Sequence, residues 1–162
     1  MNNTGYIYRS QLMGTIVSLK LFEDHKTAVQ AIFNLIKQLE DLFTVNRQHS
    51  QIMAINHAAG QHPVAVDRLV FDLIYQAKQA SLLPNSCFNL AIGPLVKLWK
   101  IGFNGYTVPD ADDIQQRLAL TDPRLVELNA TDYTVFLKKT GMSLDLGAIA
   151  KGYIADMVKI ML

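Results

Sequence analysis

The chain has 162 residues, half of them hydrophobic. That is enough for one domain or a piece of a larger one, and too apolar for a disordered segment. Fifteen Lys and Arg against fourteen Asp and Glu leave a net charge of +1, so no basic excess points to nucleic acid and no charge run forms a tail. The single cysteine, Cys87, excludes an internal disulfide and leaves the redox compartment open. No run of apolar residues reaches the ~18 expected of a transmembrane helix.

Met1 to Gln11 is polar and lacks the charged and apolar regions of a secretory signal. The sequence as it stands therefore predicts a cytoplasmic protein, or an extracytoplasmic, membrane-anchored lipoprotein if a leader has been removed. Gly14 to Phe22 (GTIVSLKLF) is rich in β-branched and apolar residues and predicts a strand. From Asp24 to Phe43 the spacing becomes helical: Ala28, Ile32, Leu35, Ile36, Leu39, Leu42 and Phe43 fall on one face. Asp24 or Thr27 is expected to cap its start. Thr44 to Asn56 opens as a polar loop, with a short helical turn over Ser50 to Asn56. Gly60 and Pro63 then punctuate the chain.

Asp67 to Leu83 predicts a second helix ended by Pro84, with Leu69, Val70, Leu73, Ile74, Ala77 and Ala80 on its buried side. Asn85 to Gly105 is irregular and holds Gly93-Pro94 and the one tryptophan, Trp99. A short amphipathic helix follows over Pro109 to Leu120. Leu125 to Leu128 and Tyr133 to Lys138 predict two strands joined by the turn residues Asn129 to Asp132, and Met142 to Leu146 is a third strand candidate. Ala148 to Leu162 has helical spacing. It runs to the last residue with no Gly, Asn or Pro after it, as expected of a helix that continues into further chain. Strands and helices mix without strict alternation, which predicts an α+β fold with a mixed or antiparallel sheet and packed helices.

Several chemistries are absent by motif. There is no GxxxxGK[ST], no GxGxxG, no HExxH and no Cys-x-x-Cys, which removes the P-loop, the dinucleotide fingerprint and the common zinc sites. His25, His49, His57 and His62 are scattered in polar surroundings and are expected at the surface. Cys87, without a partner, is expected as a small buried hydrophobe in preference to a reactive thiol. Two segments stand apart from ordinary packing. In NSCFNLAIGPLVKLW (Asn85–Trp99), small and polar residues lead into an apolar stretch with Gly-Pro and Trp. In SLDLGAIAKGYIAD (Ser143–Asp156), a strand ends in Asp145, passes through Gly147 and enters a helix carrying Lys151. Outward N–H groups and the helix dipole favour an anion at such a junction, and Lys151 adds charge for a phosphate. A plain capped helix start explains the same pattern.

These segments resemble a known family, the ApbE-type flavin transferases. DLGAIAKGYIAD is similar to that family's DLGGIAKGYAVD signature, and NSCFNLAIGPLVKLW to its GAFDPTVGPLVNLW stretch. LMGT (Leu12–Thr15) resembles the MGT near its start, and SQIMAIN (Ser50–Asn56) the SEISRLN after its first long helix. The four motifs keep the family's order and span nearly the whole chain, which corresponds to the N-terminal half of a single transferase domain covering residues 1–162.

The resemblance implies an enzyme that binds FAD with Mg²⁺, cleaves its pyrophosphate, transfers FMN to a threonine of an acceptor protein and releases AMP. Such a phosphoryl transfer asks mainly for positioning and charge neutralisation, which Mg²⁺ on oxygen ligands supplies. By the same resemblance, Met13 packs against the flavin, Cys87, Phe88 and Asn89 contact FAD, Asp145 hydrogen-bonds it, Lys151 lies near its phosphates, and Ala148 offers its main-chain oxygen to the metal. Met13 and Phe88 also suit a core, Asp145 a helix N-terminus and Lys151 a solvated helix face. Asn89 departs from the family's usual Asp, keeping a carbonyl and losing a charge. Asn46 replaces a frequent aromatic residue and is expected to hydrogen-bond the flavin it cannot stack on. The family's remaining metal ligands, an Asp with a Thr shortly after it, belong to its C-terminal half. Two other functions compete: a catalytically inactive flavin-binding module, and a hydrolase that splits FAD into FMN and AMP. Nothing in these residues supports the thiamine chemistry of an older family label.

Overall fold

The structure is a computed structural model that describes residues 5–45, 50–101 and 107–161. It opens on a hairpin, β1 (Tyr6–Leu12) and β2 (Thr15–Leu21), paired antiparallel from Tyr6↔Leu21 to Leu12↔Thr15. The connection is the two residues Met13 and Gly14, with φ of 55° and 68°. Positive φ at both central positions is what a type I′ turn requires, and its twist matches that of the strands. The sequence predicts β2 and misses β1. Along β1 only Tyr8, Ser10 and Leu12 turn inward, a half-polar face that shows little apolar alternation. Its turn is Met-Gly, where Asn-Gly is the familiar signal.

Helix α1 (Lys26–Phe43) follows and buries Ile32, Ile36, Leu39 and Phe43 as the spacing predicts, together with Val29, which it did not, while Ala28, Leu35 and Leu42 are half-buried. Its start differs from expectation. His25 occupies the cap position without a side-chain bond, and Asp24 instead accepts the Tyr8 hydroxyl at 2.5 Å. That bond raises the Tyr8 pKa to about 12. Helix α2 (Gln51–His57) is capped by Ser50, whose oxygen accepts from the Met53 N–H at 3.1 Å. Helix α3 (Arg68–Leu82) buries Val70, Phe71, Leu73, Ile74 and Ala77, whereas Leu69, expected inside, is 38% exposed. Phe71 takes the inner position and meets Tyr133 edge-on at 5.5 Å.

A second antiparallel sheet has the order β3-β5-β4, from β3 (Val64–Ala65), β4 (Val126–Asn129) and β5 (Thr134–Leu137). Val135 and Leu137 of its central strand point into the core, two residues apart as the pleat demands. Val64↔Val135 and Val126↔Leu137 set its register. The irregular region contains a short helix, α4 (Gly93–Leu98), with Pro94 in its first turn. Helix α5 (Ala111–Leu118) starts at Asp110, whose carboxylate accepts from Asp112 N–H at 2.9 Å.

Met142 to Leu146, expected as a third strand, pairs with no strand among the described residues. Its hydrogen bonds go elsewhere: Leu144 is held by the Asn56 side chain, and the Asp145 N–H donates to Leu90 O at 2.9 Å. The chain then enters α6 (Gly147–Met161), which packs on α1 and α3 and buries Ala150, Tyr153 and Ile154. Phe43 and Tyr153 meet edge-on at 5.7 Å across α1 and α6. The fold is thus α+β as expected, its sheets entirely antiparallel. One core runs from α1 and α3 through Leu90, β4 and β5 to Met142, Leu144 and Leu146.

Candidate functional site

The segment ahead of α6 is buried along 142–144 and again at Leu146, which leaves Asp145 as its one half-buried side chain. Met142, Leu144 and Leu146 are each 1% exposed. Asn56 grips the segment from α2: its amide N–H donates to Leu144 O at 3.2 Å, and its carbonyl accepts from Leu144 N–H at 2.7 Å. One side chain thus makes the two bonds a neighbouring strand would make, and satisfies both main-chain groups of a buried residue. Just beyond it, Asp145 Oδ1 accepts from the Gly147 N–H at 2.9 Å. Asp145 therefore caps the start of α6 and leaves Oδ2 without a hydrogen bond among the described residues.

A cavity of about 380 Å³ opens at this junction. Asp145, Gly147, Ala150 and Lys151 form one wall, Phe43 and Val45 at the end of α1 another, and Met13 in the hairpin turn a third. The volume falls in the range of small-molecule sites. Lys151 is exposed and makes no ion pair among the described residues. Met13 holds a left-handed conformation that ordinary side chains rarely adopt, and such outliers persist where the surroundings over-determine them. A second, apolar cavity of about 330 Å³ between the hairpin, α1 and α6 shares Met13 and Lys151 as its rim.

The structure thus brings Met13 of the hairpin turn together with Asp145 and Lys151 of the 143–156 stretch, with Ala148 in the first turn of α6 beside Gly147. Cys87, Phe88 and Asn89 do not line this cavity. They form a loop between α3 and α4 that is built by its own polar groups. Ser86 Oγ accepts from Phe88 N–H, Ser81 Oγ accepts from Leu90 N–H, and Asn89 Oδ1 accepts from Ala91 N–H. The Asn89 amide also donates to Thr121 O at 2.8 Å. Both ends of the Asn89 side chain are thus hydrogen-bonded within the chain. Cys87, expected as a buried hydrophobe, is exposed, because the neighbouring bonds turn Phe88 onto the core and leave the residue before it outside. Phe88 is half-buried there. His25, His57 and His62 are at the surface as expected, whereas Asn46 and His49 lie outside the described residues.

Phe43 and Val45 were legible only as helix core and loop, and Asn56 only as part of a short helix. A helix-face pattern does not tell which apolar end faces a cavity. Among the described residues no three His, Cys, Asp or Glu side chains come together as a metal site, and no helix is long and apolar enough to cross a membrane.

The cavity sets a polar junction against an apolar wall on an α+β scaffold. Sequence and fold comparisons place the chain more closely. The chain belongs to the ApbE family, whose sequence model matches residues 13–162. It is 59% identical over 158 residues to an FAD:protein FMN transferase of Klebsiella pneumoniae, covering 98% of this chain and 50% of that protein. To one of Treponema pallidum it is 37% identical, covering 91% and 43%. The crystal structure of the ApbE protein of Thermotoga maritima superposes with a TM-score of 0.86 at 28% identity, over 98% of this chain and 52% of that one. The chain spans about half the length of the curated relatives it matches.

Proposed function

We propose that these residues form the N-terminal part of an FAD:protein FMN transferase. In that reaction a threonine oxygen of an acceptor protein attacks the flavin-side phosphorus of FAD, the bond to the AMP phosphate breaks, AMP leaves, and the hydroxyl proton is released. The observation that carries the reading is the convergence of Met13, Asp145 and Lys151 on one cavity with Phe43 beside them. FAD offers a flat apolar ring and a doubly charged pyrophosphate. Met13, Phe43 and Val45 suit the ring through sulfur and aromatic contact. Lys151 and the start of α6 suit the phosphates, by point charge and by helix dipole. The free oxygen of Asp145 accepts a hydrogen bond from a flavin or ribose donor.

The donor set fits a magnesium ion only in part. The Ala148 carbonyl offers one hard oxygen, and no group of three acidic, His or Cys side chains stands ready to complete an oxygen shell among the described residues. When bound, Mg²⁺ neutralises charge developing on the phosphate oxygens. This chain's own residues hold the flavin, fix the junction and set Lys151 against the phosphates.

The test is incubation with FAD and Mg²⁺, with and without an acceptor protein carrying the target threonine. AMP release that needs the acceptor, matched by flavin fluorescence on that protein, is the expected result. AMP formed equally without the acceptor would assign FAD hydrolysis instead. FAD binding with no AMP under either condition would make the chain a flavin-binding module.

A further inference from the structure

A third concavity, of about 500 Å³, lies where α4, α5 and the segment after β5 meet. It shares no residue with the cavity around Met13. Its wall carries Lys97 from α4, Lys100 just beyond it and Arg117 from the last turn of α5, and no carboxylate. None of the three makes an ion pair or a side-chain hydrogen bond among the described residues. Asp113, one turn before Arg117, lies within the helix register of an ion pair yet does not form one. Three unpaired cations around one hollow repel each other, and a bound anion reverses the sign of that interaction.

Ser143 is an independent observation at the same place. It lines the concavity and is 3% exposed, and its hydroxyl is the one buried side-chain polar atom without a partner among the described residues. Native chains rarely leave such a group unsatisfied without a ligand or ordered water to meet it. Gly93 makes room for it, since a Cβ there would stand 2.3 Å from Ser143 Oγ.

We propose that this concavity is an anion site for a phosphoryl-bearing small molecule, with Lys97, Lys100 and Arg117 as its charges and Ser143 as its buried hydroxyl. Arginine takes a phosphate through two parallel N–H groups and lysine as a point charge. The volume exceeds that of one phosphate, so free pyrophosphate and a phosphate monoester on a sugar share the required chemistry.

Titrate the chain with inorganic pyrophosphate and, separately, with ribose 5-phosphate, at constant ionic strength set with chloride. Follow the heat and the amide resonances of Gly141 and Ser143. Saturable binding that shifts these two amides is expected. It should weaken at least tenfold in Lys97→Gln/Arg117→Gln, whose side chains are exposed and unpaired among the described residues, and hold in Lys159→Gln, an exposed lysine outside this concavity. Tighter pyrophosphate points to a free anion, and tighter ribose 5-phosphate to an organic phosphate. Binding that chloride abolishes as readily, that survives the double substitution, or that falls equally with Lys159→Gln overturns the proposal.

Discussion

Asn56 stands between two elements that the chain order separates by 88 residues. Replacing it with alanine leaves the N–H and C=O of buried Leu144 without partners. Each such group costs about 1–3 kcal/mol, so Asn56→Ala is expected to lose on the order of 3 kcal/mol in denaturant unfolding. Asn56→Asp keeps the acceptor for Leu144 N–H and sets a carboxylate against Leu144 O, so it should not rescue. A loss below about 1 kcal/mol would show that the segment before α6 is held by its leucines alone. Tyr153 gives a pH signature. Burial first, and then the charge of Asp72, raise its phenol above the ordinary value. The neutral form is the one the fold favours, so its stability contribution is present below pH 10 and falls as pH rises through the higher folded value. Tyr8, lifted to about 12 by its bond to Asp24, acts in the same direction. Thermal melts from pH 9 to 12 should therefore decline, and the Tyr8→Phe/Tyr153→Phe variant should flatten the decline.

At the scale of elements, two glycines separate backbone need from open space. Gly60 has φ of 75°, and a Cβ on it would stand 2.4 Å from the main-chain nitrogen of Thr140. Its own N–H donates to Leu137 O at 2.7 Å and ties the end of α2 to β5. Gly60→Ala is expected to destabilise by roughly 2 kcal/mol or more, through strain and a clash that backbone cannot yield. Gly152 lies inside α6 with nothing within 4 Å of a built Cβ. Gly152→Ala should stabilise by about 0.5–1 kcal/mol, the helix-propensity difference. Chemical denaturation of both variants checks the contrast. The long helices α1, α3 and α6 were the most legible elements because their stripes repeat over four turns or more, whereas α4, at six residues, was read as irregular chain. The strand assigned to 142–146 failed for a definite reason: its residues are as buried as a strand's, but its partner is a side chain 88 positions away, which no local pattern reveals. Likewise β1 escaped because a half-exposed hairpin closed by Met-Gly carries neither alternation nor a familiar turn signal.

For the whole molecule, the site was legible in its parts but not in its shape. The motifs around Met13 and across Asp145 to Lys151 marked residues that do meet at one cavity. The Cys87 to Asn89 stretch marked a loop away from that cavity, whose polar groups bond within it and to Thr121. Which apolar residues complete the wall depends on how α1 ends against α6, a tertiary fact. Calorimetric titration of FAD into the 162-residue chain, with and without Mg²⁺ and repeated with Lys151→Ala, tests the flavin site most directly. Lys151 is exposed and makes no ion pair among the described residues, so its removal should change stability by no more than about 0.5 kcal/mol. The expected result is saturable FAD binding that Mg²⁺ tightens and that Lys151→Ala weakens about tenfold or more. FAD binding indifferent to Lys151, in a variant that remains folded, would contradict the placement of its phosphates at the start of α6.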